Sequence, residues 1–116
     1  MRGDTVEMAM LLDCYGGLLT PKQREYFELY YSDDLSLSEI AENVGITPPG
    51  VRDIISRAAT KLREAERKTG LAAKNQTARD GLVRAITLAE VLRGTYPRDS
   101  AIDELIQLLN EVSNGL

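Results

Sequence analysis

The sequence predicts an all-α protein, a helix-turn-helix bundle followed by an additional C-terminal helical tail. Three observations predict it. Apolar residues recur at helical spacing along the chain, no alternating stretch holds more than two β-branched residues, and Gly45 separates two amphipathic runs within residues 36–63, where a tight interhelical turn needs a positive φ.

Each element has its own signals. Val6, Met8, Met10, Leu11 and Leu12 form an apolar first helix, with Asp4 or Thr5 as its cap and Gly16-Gly17 ending it through the left-handed conformation glycine takes cheaply. Thr20-Pro21 starts a second helix, because threonine accepts a free amide while proline occupies the first turn, where its missing N–H costs nothing. Tyr26, Phe27, Tyr30 and Tyr31 lie near one face and are expected in the core; a base-stacking platform is the alternative. Asp33-Asp34 marks the exit.

Ser36 and Glu39 spell a capping box before Leu37, Ile40, Ala41 and Val44, the buried face of the third helix. Ile46 plugs the turn and Thr47-Pro48 opens the fourth. Val51, Ile54, Ile55, Ala58, Ala59 and Leu62 then fall at i, i+3, i+4, i+7, i+8 and i+11, one continuous apolar stripe. The helical pattern fades near Lys68, with a break or kink at Thr69-Gly70. Leu82, Ala85, Ile86, Ala89, Val91 and Leu92 carry a helix through 71–93, residues 94–99 form a loop, and Ser100 with Asp103 repeats a capping pattern ahead of Ile102, Leu105, Ile106, Leu108, Leu109 and Val112. The 116 residues, 43% hydrophobic, suit one compact body. Within it, residues 1–70 form the helix-turn-helix part, and residues 71–116 form an extension that packs on it, the favoured arrangement, or makes an interface, including a homodimer through 71–112.

The net charge of −4 conceals segregation. Residues 1–50 sum to −6, whereas residues 51–79 set eight cations against Asp53, Glu64 and Glu66 for +5, and residues 80–116 return −3. A basic middle attracts phosphate while its flanks repel it. The candidate nucleic-acid-binding residues are therefore Thr47, Arg52, Ser56, Arg57, Lys61, Arg63, Arg67 and Lys68. The alternative is that these cations only solvate a long helix and pair with acidic neighbours.

Other chemistries have little support. There is no histidine, no glycine-rich phosphate loop and no zinc-ligand cluster, so no catalytic residue, metal or cofactor is expected and the protein is taken as non-enzymatic. Cys14 is the lone cysteine, expected to be a small buried hydrophobe. No apolar run approaches a membrane span and no signal peptide is visible, so a cytoplasmic protein without membrane insertion is expected. The adhesion tripeptide Arg2-Gly3-Asp4 and the glycosylation acceptor Asn75-Gln76-Thr77 are taken as chance.

Gly45-Ile46-Thr47 with Val51-Arg52, Ile54, Arg57-Ala58 and Lys61-Leu62-Arg63 resembles region 4 of bacterial sigma factors, whose second helix enters the major groove. The groove-reading positions of that family fall on Pro48, Pro49, Gly50, Arg52 and Asp53, and only Arg52 retains the expected type. Over the whole chain, Leu11-Leu12-Asp13-Cys14-Tyr15-Gly16-Gly17-Leu18-Leu19-Thr20, Lys22-Gln23, Tyr30-Tyr31, Asp33 through Leu37 and Glu39-Ile40-Ala41 resemble the YlxM family of small bacterial proteins. That resemblance implies a cytosolic accessory protein of the signal recognition particle pathway, with the particle's RNA or its GTPases as partners. A DNA-binding regulator of the sigma region 4-like type is the alternative, and a module that binds only protein is a third.

Overall fold

A computed structural model describes residues 4–116. Among these residues there are six α-helices and no strand: α1 (Thr5–Tyr15), α2 (Pro21–Tyr31), α3 (Leu37–Val44), α4 (Pro48–Thr69), α5 (Leu71–Thr95) and α6 (Ser100–Asn114), with a 3₁₀ turn at Gly16–Leu18. The chain divides into two compact units at Ala72/Ala73, so α5 begins in the first and continues in the second. Arg2 and Gly3 lie outside the described residues.

In the first unit α4 is the central element, with α1, α2 and α3 packed against it. Val51, Ile55, Ala58, Ala59 and Leu62 are its buried residues and Ile54 is half-buried beside them, so the stripe expected from spacing is the packed face. Phe27, Met8, Ile40, Leu62 and Val51 are essentially fully buried. Removing each such side chain from water contributes about 1.5–3 kcal/mol, the main drive that packs three short helices onto α4.

The local signals form as expected at α2, α3 and α4. Thr20 and Gln23 make a reciprocal capping box, as do Ser36 and Glu39, and Thr47 caps α4. Gly45 (φ 77°) and Gly70 (φ 63°) end α3 and α4 in the left-handed conformation.

Five expectations are corrected. Gly16 ends α1 in a right-handed conformation and enters the 3₁₀ turn; a Cβ there would meet the flexible end of Arg24, Nη1 at 2.9 Å, and Leu12 Cδ1 at 3.3 Å, so its φ does not call for glycine. Val6 is 76% exposed, because the buried face of α1 runs through Met8, Leu11, Leu12 and Tyr15, and Val6 lies about 200° around the helix from Met8. The fifth helix continues through Gly94 to Thr95, and Asp99 rather than Ser100 caps α6, its Oδ1 accepting the Ala101 amide at 3.0 Å. Cys14 is half-buried at the core margin, not enclosed.

The core of the second unit is much smaller. Ala89, Ile102 and Ile106 are buried and Leu109 packs on them. Arg93 Nη2 meets Asp103 Oδ1 at 3.0 Å across the α5–α6 hairpin.

Candidate nucleic-acid interface

The eight candidate residues are all exposed on α4 or its cap, and the first turn of that helix is unusual. A helix N-terminus normally offers free amides and a positive dipole end to phosphate. Here Pro48 and Pro49 have no N–H, Gly50 N donates to Thr47 Oγ1 at 3.2 Å, and Val51 N donates to Thr47 O at 3.0 Å. The first turn of α4 therefore has no backbone donor to spare. Thr47 supplies the cap and retains only its hydroxyl hydrogen for an outside partner.

Beyond this turn the cations divide around the helix. One side forms a concavity of about 360 Å³ between α2, α3 and α4, lined by Tyr30, Tyr31, Leu37, Arg52, Ile55, Ser56, Ala59, Thr60 and Arg63. The opposite side forms a larger groove of about 740 Å³, lined by Leu18, Gln23, Ser56, Arg57, Thr60, Lys61, Glu64, Ala65, Lys68 and Thr69. Ser56 and Thr60 belong to both and form the ridge between them. The geometry thus gives two basic edges, Arg52 with Arg63 and Arg57 with Lys61 and Lys68, where the sequence suggested one basic face. The reason is angular: Arg52 and Lys61 lie nine residues apart, about half a turn around an ideal helix.

Intramolecular partners hold several of these cations. Arg57 Nε meets Asp53 Oδ2 at 3.1 Å, and Arg67 Nη2 meets Glu64 Oε2 at 2.7 Å. Lys61 Nζ donates to Gln23 Oε1 at 3.2 Å and reaches Leu18 O at 3.5 Å. Arg63 Nη2 lies 3.3 Å from Asp4 Oδ2 and its Nε 3.8 Å from Glu7 Oε1, while the Tyr31 hydroxyl donates to Asp4 Oδ2 at 3.4 Å. Arg52 and Lys68 make no ion pair among the described residues. Exposed pairs of this kind contribute only about 0–1 kcal/mol, so they exchange readily for phosphate.

The titration tendencies follow the contacts. The Arg67 guanidinium holds the Glu64 carboxyl below its usual range, and Glu64 raises Arg67 in return. Burial raises the Tyr31 phenol, and the Asp4 charge and hydrogen bond raise it further. Phe27 and Tyr26 are buried as expected of the aromatic cluster, but Tyr30 and Tyr31 are half-buried and open onto the Arg52–Arg63 concavity. Sequence spacing had put all four in the core; the structure gives two of them a surface. Gln23, which holds Lys61, and Thr60 on the ridge carried no charge signal in the sequence. Thr60 Oγ1 donates back to Ser56 O at 2.9 Å.

Residues 3–107 match the family model described as "Putative helix-turn-helix protein, YlxM / p13 like". The chain belongs to this family, UPF0122. The relatives agree over nearly their whole length. The UPF0122 protein of Thermoanaerobacter sp. (strain X514) is 38% identical over 116 residues, 100% of this chain and 96% of that protein. The UPF0122 protein of Streptococcus gordonii is 39% identical over 110 residues, covering 95% of this chain and 94% of the relative. One from Streptococcus pneumoniae is 37% identical with the same coverage. The helix-turn-helix of the UPF0122 description corresponds to α3, the Gly45–Thr47 turn and α4, an arrangement that points to nucleic-acid binding. None of the helices among the described residues is long and apolar enough to cross a membrane.

Proposed function

We propose that this UPF0122 chain is a non-enzymatic accessory protein that binds structured RNA, or a ribonucleoprotein, through the exposed face of α4. The observation that carries the reading is the coincidence of a basic α4 surface with a first turn that lacks both free amides and base-reading side chains. Pro48, Pro49 and Gly50 offer no side-chain donor, and each absent bidentate contact to a base edge forgoes about 1–3 kcal/mol of discrimination on DNA. Structured RNA is recognised mainly through shape and backbone, where Arg52, Arg57, Lys61, Arg63, Arg67 and Lys68 suffice as phosphate contacts and Thr47 and Ser56 add hydroxyls. The resemblance to YlxM proteins supports the signal recognition particle as the setting and its RNA as the ligand, which makes the protein cytoplasmic.

Fluorescence-anisotropy titration with signal recognition particle RNA and with duplex DNA, each at two salt concentrations, tests this. Tight, salt-sensitive binding to the RNA alone is expected. Equal or stronger binding to the duplex assigns the surface to a DNA-binding regulator, and binding to neither removes α4 from nucleic-acid recognition.

A further inference from the structure

The concavity between α2, α3 and α4 holds more than phosphate contact requires. Tyr30 and Tyr31 line it from α2, Arg52 and Arg63 line it from α4, and Ile55 and Ala59 add apolar surface. The aromatic wall is ordered by its own contacts. The Tyr31 ring packs on Phe27 with centroids 4.7 Å apart and stands edge-to-face with Tyr30 at 4.9 Å, while its hydroxyl donates to Asp4. Arg63 is held by the same Asp4 carboxylate and by Glu7, whereas Arg52 makes no ion pair among the described residues. The volume of about 360 Å³ falls within the roughly 300–1,000 Å³ of small-ligand sites. A phosphate needs neither the rings nor the recess.

We propose that this concavity receives one unstacked base of an RNA strand, between the Tyr30–Tyr31 wall and the Arg52 guanidinium, while other cations of α4 hold flanking phosphates. The inference rests on the RNA-binding reading of α4 and deepens it. Aromatic rings and guanidinium planes are the surfaces on which unpaired RNA bases stack, and a base within a duplex keeps to its own stack and does not enter a recess. Thr60 gives its hydroxyl hydrogen to Ser56 O at 2.9 Å, which leaves its oxygen to accept from a base N–H. Beyond the Ser56–Thr60 ridge lie Arg57, Lys61 and Lys68, so a strand leaving the recess across that ridge meets further cations.

Anisotropy titration of the full chain with three labelled RNAs tests this: a fully paired duplex, the same duplex with one bulged uridine, and the same bulge made abasic. The last two carry equal numbers of phosphates, so their difference isolates the base. Wild type is expected to bind the uridine bulge about 5- to 150-fold tighter than the abasic one. Y30L/Y31L should lose that preference yet bind the paired duplex as before, with helices retained in far-UV circular dichroism, and Y30F/Y31F, which keeps both rings, should retain it. A 5-iodouridine at the bulge should photocrosslink to Tyr30 or Tyr31, located by mass spectrometry. Free uridine monophosphate, without the strand's other phosphates, should not compete at equal concentration; if it does, the recess is a nucleotide site. Equal binding of the two bulges, a preference that folded Y30L/Y31L keeps, or a crosslink elsewhere overturns the base site and leaves RNA binding standing. Binding to none of the three RNAs overturns the RNA reading itself. The wild-type preference and the crosslink decide the matter even if the leucine variant fails to fold.

Discussion

The Tyr15 hydroxyl donates to Glu66 Oε1 at 2.6 Å, and the same carboxylate oxygen accepts the Ala72 amide at 2.9 Å. Thr69 Oγ1 lies 2.5 Å from the Tyr15 hydroxyl and accepts the Leu71 amide at 3.2 Å. One phenol at the end of α1 thus joins a network that satisfies the amides following Gly70, where the chain leaves α4. Tyr15→Phe keeps the ring but removes the donor, so thermal unfolding should occur at lower temperature while the helices are retained. An unchanged midpoint would mean that water replaces the phenol at no cost.

The same contact makes a pH prediction. Burial raises the Tyr15 phenol above its ordinary 10.0, and the hydrogen bond to Glu66 adds to the shift. Because the neutral phenol is favoured by the folded state, its contribution is complete below the ordinary value and is lost as pH rises through the raised one. Tyrosinate absorbance of wild type minus Tyr15→Phe should show a single group ionising later than a free tyrosine. An ordinary titration would contradict the contact.

Gly45 and Gly17 should respond differently to alanine. Neither has a neighbour within 4 Å of where a Cβ would sit, but only Gly45 holds a positive φ, 77°. Gly45→Ala should destabilise by about 1–2 kcal/mol, the cost of a left-handed non-glycine residue. Gly17→Ala should leave the denaturant midpoint nearly unchanged.

Leu62→Ala tests the apolar stripe of α4. The side chain is fully buried in the core of the first unit, so the substitution should cost about 2–5 kcal/mol in chemical denaturation. A loss below that range would mean the helices collapse into the space.

The two basic edges of α4 can be separated by mutation. Arg57→Glu with Lys61→Glu alters the larger groove, and Arg52→Gln alters the opposite concavity. If both edges contact RNA backbone, each lost phosphate contact should reduce the salt dependence of binding by a slope of about 0.7–0.9. An edge whose variant leaves affinity and slope unchanged takes no part. Arg63 is a poorer probe because it also pairs with Asp4 and Glu7.

Local and repetitive features were legible in the sequence. The caps at Thr20, Ser36 and Thr47, the glycine turn at Gly45 and the stripe from Val51 to Leu62 depend on residues a few positions apart, so spacing alone placed them. The candidate site was legible as a set of charges but not as a shape. Sequence separation hides that Gln23 reaches Lys61 and that Asp4 reaches Arg63, contacts spanning 38 and 59 residues.

The sequence by itself determined that the chain is helical, where the helix-turn-helix lies and which stretch is basic, because helix propensity, capping and hydrophobic period act over neighbouring residues. Tertiary structure decided the rest. Packing of α1, α2 and α3 around α4 divided its cations into two edges, brought Tyr30 and Tyr31 to a surface and joined Tyr15 to Glu66. Each of these outcomes depends on which faces meet, and that is set by the joint burial of segments distant in sequence.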